Sequence, residues 1–512
     1  MKNKRGALIL IPLIILLAIW QGVFIREGIM SLTENYGLSP GGDMYITWNH
    51  ITLQHYKELL EKNFGLCGGN SLIQTLLNVA LGLPLGLVIA LLLGLIRHRP
   101  TKALFAGMFL VLALLPESYW WLQSQNVLYR LPIDARASGY WVSYAIGKSI
   151  PLISLCAFGG LALNLAEFKK GAVGALLVGL IPLLTALLPD MRFAEITGNV
   201  FSNPSLTGHL YQRGVIRFST GDAAAAAVLG KMGSLLMGLL PAFLMGVLAR
   251  RKDAALLKVK KNDKSWATEG FFALLGALVA GLHVMAAALI GKQLAIPEGI
   301  GTALLNTLLT GLLSGIFAFG MCTGVLFFTR YSRSRLAFGA IALCLAMLGV
   351  FSISGYLLIR KEGLLNTAIP VASAFCVLGH PAFIALLLVL IAARPTAPRQ
   401  VMLTAAGGGM LAAMISAGDH FAPRIFTSSM NRMPLAALVR QLRDRYSYIP
   451  GLPEGEIIPG VANMNGAMAV LLAVCLFFGL LGAMLLFWGL GGGRMQRMDL
   501  PGAPLQQESL RS

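Results

Sequence analysis

Charge is scarce in this sequence: only 12% of its 512 residues are Asp, Glu, Lys or Arg. That is about half the ~25% usual in a soluble domain. A chain this long cannot clothe a soluble surface with so little charge, which excludes that class. Cysteine is sparse too. Cys67, Cys156, Cys322, Cys344, Cys376 and Cys475 are scattered, with no Cys-x-x-Cys spacing, which excludes a disulfide framework or a thiolate metal centre. The seven histidines show no His-Glu-x-x-His spacing, and no Gly-x-Ser-x-Gly elbow occurs. His283 and His380 lie in or near apolar runs and read as packed polar residues. Gly147-Lys148-Ser149 looks like the end of a phosphate-binding loop, but that pattern needs a glycine where Val142 stands. The chain is therefore expected to do no covalent chemistry and to hold no cofactor or metal; it is not read as an enzyme.

What the sequence does have is apolar length. It is 56% hydrophobic and carries 58 glycines, which suit close helix packing in lipid. A membrane span needs about 20 apolar residues. Twelve spans are expected, at roughly 7–28, 71–96, 103–124, 140–163, 172–190, 223–249, 269–291, 300–328, 337–359, 365–393, 401–417 and 464–490. Lys2, Lys4 and Arg5 precede the first of them without a following small-residue cleavage site, so it reads as an uncleaved span.

Charge orients the spans. With the N-terminus inside, the cytoplasmic segments hold 23 of the 41 Lys and Arg but 6 of the 22 acids, while the outer segments hold 16 of each sign. This is the positive-inside asymmetry. The basic charge is spread over short inner loops, so nucleic acid is not an expected partner. The densest run, Arg250 to Lys264, is expected to meet anionic headgroups of the bilayer.

One pattern recurs. Asn70-Ser71-Leu72-Ile73 opens an apolar run that ends at Arg97-His98-Arg99, and Asn306-Thr307-Leu308-Leu309 opens another that ends at Arg333-Ser334-Arg335. Each element stands 236 positions from its counterpart (306 minus 70). Two parallel six-helix halves are expected, related by rotation about the membrane normal. They occupy 1–252 and 269–495, joined by a basic cytoplasmic linker at 253–268 and followed by a cytoplasmic tail at 496–512. Outer loops at 29–70, 191–222 and 418–463 are either a docking surface or ordinary loop elaboration. Tyr119, Trp120, Trp121 and Gln123 end the third span, and Ser352, Ser354 and Tyr356 stand at the related end of the ninth. They are either an interfacial aromatic belt or a translocation path lined with flat faces for sugar rings.

The segment Asn70 to Pro116, then Leu210-Tyr211-Gln212-Arg213-Gly214 and Phe218 to Ala225 with Lys231 after it, resembles one half of the binding-protein-dependent ABC importer permeases of the maltose-transporter type, the LplB-like half. Asn306 to Leu309, Gly418 to Phe421, Met433-Pro434-Leu435 and Leu442-Arg443 resemble the partner, YtcP-like half. The resemblance implies an all-α MetI/MalF-like permease fold in a bacterial cell membrane, multi-pass, with both termini cytoplasmic. It implies import of a solute, a carbohydrate in this family, from an extracytoplasmic solute-binding lipoprotein, driven by a cytoplasmic ABC ATPase dimer. Such permeases dock the ATPase through a Glu-Ala-Ala-x-x-x-Gly-Ala loop. The matching positions are Ala166, Glu167, Lys169, Lys170, Gly171 and Ala172 in the first half, and the region of Arg394 and Arg399 in the second. Both loops depart from the pattern: Leu165 replaces the leading Glu, Lys170 the usual Asp, and Ala397 the second loop's Gly. The charge there is either coupling charge or plain positive-inside charge. Two other readings stay open. One is a secondary transporter of the major facilitator type, against which the 97–102 loop lacks a Gly-x-x-x-Asp-Arg pattern. The other is a non-transporting membrane scaffold.

Overall fold

Proline sets the breaks in this fold. It removes a helical N–H and clashes with the preceding turn, so apolar stretches that look continuous are cut where it falls. The computed structural model describes residues 22, 24–33, 51–96, 99–128, 135–166, 171–197, 204–248, 294–331, 352–372, 380–393, 398–446 and 459–495. These are 87% helical, and among them there is no strand beyond an isolated bridge between Thr33 and Ile51. Six helices are long and apolar enough to cross a bilayer, as in a multi-pass membrane protein.

The first half runs α1 (Gln54–Gly94), α2 (Arg99–Leu114), α3 (Glu117–Leu128) and α4 (Ala135–Ala166). It continues with α5 (Gly171–Gly179) plus a 3-10 turn at Ile181–Thr185, then α6 (Arg192–Ile196), α7 (Leu206–Tyr211) and α8 (Thr220–Leu248). The second runs α9 (Ile300–Tyr331), α10 (Ile353–Lys361), α11 (Ala368–Ala372), α12 (Pro381–Ala393), α13 (Pro398–Gly418), α14 (Phe421–Phe426), α15 (Leu435–Tyr446) and α16 (Pro459–Met495). α1 and α9 carry the two copies of the recurring Asn-Ser/Thr sequence, Asn70-Ser71 and Asn306-Thr307. The expected counterpart of α2, near 337–350, lies outside the described residues.

Several expected boundaries are corrected. α1 begins at Gln54 rather than at 71, so the end of the presumed 29–70 loop is helix. The 103–124 span is broken at Pro116, and its two parts bend by 80°. Pro182 ends the regular helix of the 172–190 span, leaving a 3-10 turn. The described residues of the 365–393 span hold two helices, Ala368–Ala372 and Pro381–Ala393. The loops at 191–222 and 418–463 carry α6, α7, α14 and α15. Most of 7–28, all of 269–291, the linker and the tail lie outside the described residues; among those described, six of the twelve expected spans are present as long apolar helices.

Packing rests on small residues. α13 lies against both α9 and α16. A Cβ on Gly407 would sit 2.6 Å from the Leu486 amide nitrogen and 2.8 Å from the Gly482 carbonyl oxygen, and one on Gly409 would sit 2.7 Å from the Gly315 oxygen. Such backbone contact replaces the hydrophobic drive that lipid does not supply. Leu236, Leu240, Phe243, Leu305, Ile316, Phe477 and Leu480 stay exposed on the outward faces, where acyl chains would cover them. Gly407→Leu is expected to lose about 1–3 kcal/mol by overpacking, read as a lower unfolding midpoint in detergent. Gly320→Leu, with no atom within 4 Å of its Cβ position, is expected to leave the midpoint unchanged.

Candidate functional site

The recurring Asn-Ser/Thr pair has a structural task. The first amides of a helix lack intrahelical acceptors. Ser71 Oγ donates to the Cys67 oxygen (2.9 Å) and accepts from the Leu206 amide (2.8 Å), the first residue of α7. Thr307 Oγ1 donates to the Ala303 oxygen (2.7 Å) and accepts from the Leu435 amide (2.7 Å), the first residue of α15. Asn70 Nδ2 donates to the Pro204 oxygen (3.2 Å), and Asn306 Nδ2 to the oxygens of Asn431 (3.0 Å) and Met433 (3.4 Å). The same bracket, built twice, fixes a short helix over each long span.

The halves meet through the helices that precede those brackets. Asp190 Oδ1 accepts from the Arg192 amide (3.2 Å) at the start of α6, and Asp419 Oδ1 from the Phe421 amide (2.9 Å) at the start of α14. These two aspartates, 229 positions apart (419 minus 190), both grip Arg192. Its Nη1 is 3.0 Å from Asp190 Oδ1 and its Nε 3.2 Å from Asp419 Oδ1. Below them Glu195 pairs with Arg424 and with Arg440 Nη2 (3.4 Å), while His420 Nε2 donates to the Arg192 oxygen (3.1 Å) and lies 3.0 Å from Glu195 Oε2. Burial pushes the His420 imidazole down to about 4, so it is neutral at pH 7. Its folded value lies below the ordinary 6.5, so the unfolded chain binds the proton first as pH falls. Stability is thus complete above about 6.5 and is lost between about 6.5 and 4. His420→Gln is expected to flatten that acid limb of the unfolding midpoint measured from pH 7.5 to 4.5.

Beside this seam is a cavity of about 50 Å³. The break at Pro116 puts Glu117 at the first position of α3, where it forms an ion pair with Lys148 from the middle of α4. α1 contributes Thr75 and Asn78, Tyr144 donates to Asn78 Oδ1 (2.7 Å), and the second half contributes His380 to Ala382. Gln74 Nε2 donates to the Asp190 oxygen (2.8 Å) and holds its loop. Glu117 Oε2 and Asp190 Oδ2 are buried without hydrogen-bond partners. A space this size holds a few waters or one small ion. It is far below the ~300–1,000 Å³ of a pocket for a larger ligand, so no sugar ring fits it in this conformation. A third charged group ties the N-terminal helix, residues 24–31, to α8 and to the start of α10. Glu27, fully buried, forms an ion pair with Lys231 of α8 and accepts from Ser352 Oγ (2.6 Å).

The expected path residues do not gather on that cavity. Tyr119 and Trp120 are buried against each other edge to face, with ring centroids 5.1 Å apart. Trp121 lies under Arg443 at 4.8 Å, and Gln123 is partly buried on the same helix. Ser352 caps α10 by accepting from the Gly355 amide (3.1 Å), Ser354 is buried, and Tyr356 packs on Phe426. Of the expected coupling residues, Glu167, Lys169, Lys170 and Arg394 lie outside the described residues. Ala166 ends α4, Gly171 opens α5, and Ala172 and Arg399 are exposed. That corner is tied together by Lys102, whose Nζ donates to the Gly94 oxygen (3.0 Å) and to Asn164 Oδ1 (2.7 Å). Sequence reasoning missed Glu27, Asp190 and Arg192, and it set Lys148 and His380 aside without a partner. The available signal was an ionisable residue in or beside an apolar run, which is costly unless paired. Comparison with family models, with curated proteins and with solved structures finds no match.

Proposed function

We propose that the chain is a fused permease of an ABC importer, passing a solute between two related halves with separate ATPase subunits as its motor. The observation that carries the reading is the twice-built bracket of Asn-Ser/Thr over a short helix, with the halves meeting beside a buried polar cavity. Duplicated halves around a polar site at membrane depth are a transporter arrangement. The tied corner of Lys102, Asn164 and Gly171 suits a rigid platform for a coupling partner. The carbohydrate and the binding lipoprotein rest on the sequence resemblance.

The test is affinity purification in mild detergent. An ATPase and a lipoprotein are expected to accompany the protein, and the Lys169→Glu/Lys170→Glu double variant is expected to lose the ATPase while still inserting. Loss of neither partner with the variant, or recovery of no ATPase with the natural chain, removes the motor. Orientation is tested by single cysteines at two exposed positions: Arg217→Cys labelled from outside only, Arg399→Cys from inside only. One observation favours a second reading, an ion-coupled secondary transporter: Glu117, Lys148, Asp190 and His380 all border the cavity. Uptake in vesicles that collapses with a protonophore, and persists without ATP, selects it.

A further inference from the structure

Three arginines crowd one corner of the outer helices. Arg440 and Arg443 lie one turn apart on α15, with side chains 10% and 14% exposed, and Arg424 lies on α14. Glu195 is shared by Arg424 and Arg440. The other anion at this corner among the described residues is Asp444, whose side chain is 49% exposed. It forms an ion pair with Arg440 Nη1 and stays 3.6 Å from Arg443 Nη1. Nε of both Arg440 and Arg443 and Nη1 of Arg443 are buried and have no hydrogen-bond partner, while Arg440 Nη1 has only its ion pair with Asp444. Among the described residues three guanidiniums, that of Arg424 half in water, thus face two carboxylates, that of Asp444 half in water. Burial pushes Arg440 and Arg443 down to about 10, and for Arg443 the neighbouring Arg440 and Arg424 add to the effect. Unfilled buried donors are costly, and arginine forks suit phosphate and carboxylate oxygens.

We propose that Arg440 and Arg443 form a binding site for a phosphate-bearing ligand, with Asp444 as an internal stand-in for it. Asp444 is displaceable because a half-exposed ion pair is worth only about 0–1 kcal/mol. Its carboxylate leaves for solvent as the phosphate oxygens take over the nitrogens it touched. The Trp121 ring under Arg443 keeps that guanidinium plane in place. A phospholipid headgroup and a soluble phosphate compound offer the same chemistry.

The probe is inorganic phosphate, titrated into the delipidated full chain in detergent, with chloride holding ionic strength constant. The readout is tryptophan emission, corrected by the same titration of Trp121→Phe. Saturable binding is expected, at least tenfold weaker in Arg443→Gln and Arg443→Lys and several-fold tighter in Asp444→Asn. Tightening on loss of a carboxylate is not what a purely structural cluster gives. Native mass spectrometry of protein that keeps its lipid separates the sources. One retained phospholipid, lost in Arg443→Lys, assigns the headgroup, while phosphate binding without retained lipid assigns a soluble ligand. A response matched by chloride with no retained lipid, or equal binding by Asp444→Asn and the natural chain, overturns the proposal. These readouts do not depend on transport, and Arg443→Lys and Asp444→Asn serve if Arg443→Gln fails to fold.

Discussion

Arg192→Met is expected to destabilise the protein by about 3–5 kcal/mol, because it strands two buried carboxylates whose shared counter-charge is gone. Asp419's side chain is 3% exposed and Asp190's 14%, so water cannot replace the guanidinium at the first of them. The expected result in detergent is a large drop in unfolding midpoint and a loss of monodisperse protein. Arg192→Lys is expected to recover only part of it, since a point charge cannot fork between Asp190 and Asp419. The triple variant Asp190→Asn/Arg192→Met/Asp419→Asn is expected to be more stable than Arg192→Met alone. If Arg192→Met melts with the natural chain, the seam is not held by these ions.

Lys231→Met is the second large effect. Glu27 is fully buried and Lys231 is 2% exposed, so the variant leaves an uncompensated carboxylate, again at about 3–5 kcal/mol. The loss concerns the N-terminal helix, whose Glu27 also accepts from Ser352 of the second half. Faster proteolysis near residue 30 is therefore expected along with the lower midpoint. Glu27→Gln/Lys231→Met keeps the shape and removes both charges, and is expected to restore most of the stability. A double variant no better than the single one would assign the loss to packing around the lysine stem instead.

The repeat was legible because its markers are polar residues at the start of apolar runs. Asn70-Ser71 and Asn306-Thr307 stood out for the reason they matter: each caps a helix from another part of the chain. The later correspondences were hidden by drift. Glu117 and Ile353 open their helices 236 positions apart (353 minus 117), whereas Asp190 and Asp419 are 229 apart (419 minus 190). A search at one fixed offset passes over the aspartates. The outer helices were missed because α6, α7 and α14 are only five or six residues long, too short to show a period. Arg192 and Asp419 are 227 positions apart, and no local pattern joins them. Lys148 failed as a phosphate loop and then looked idle; what pairs it with Glu117 is the break at Pro116.

The seam is not symmetric in kind. Counted at the 229 offset, Arg192 answers to Phe421 and Glu195 to Arg424. Two copies of the first half, docked the same way, would set Glu195 against Glu195, and two copies of the second would set Arg424 against Arg424. The Glu195 self-pairing brings like charges together where they are desolvated, and the Arg424 self-pairing does so at a half-exposed position. The halves therefore recognise each other as a lock does its own key. Expressed as two separate polypeptides, they are expected to favour the mixed pair.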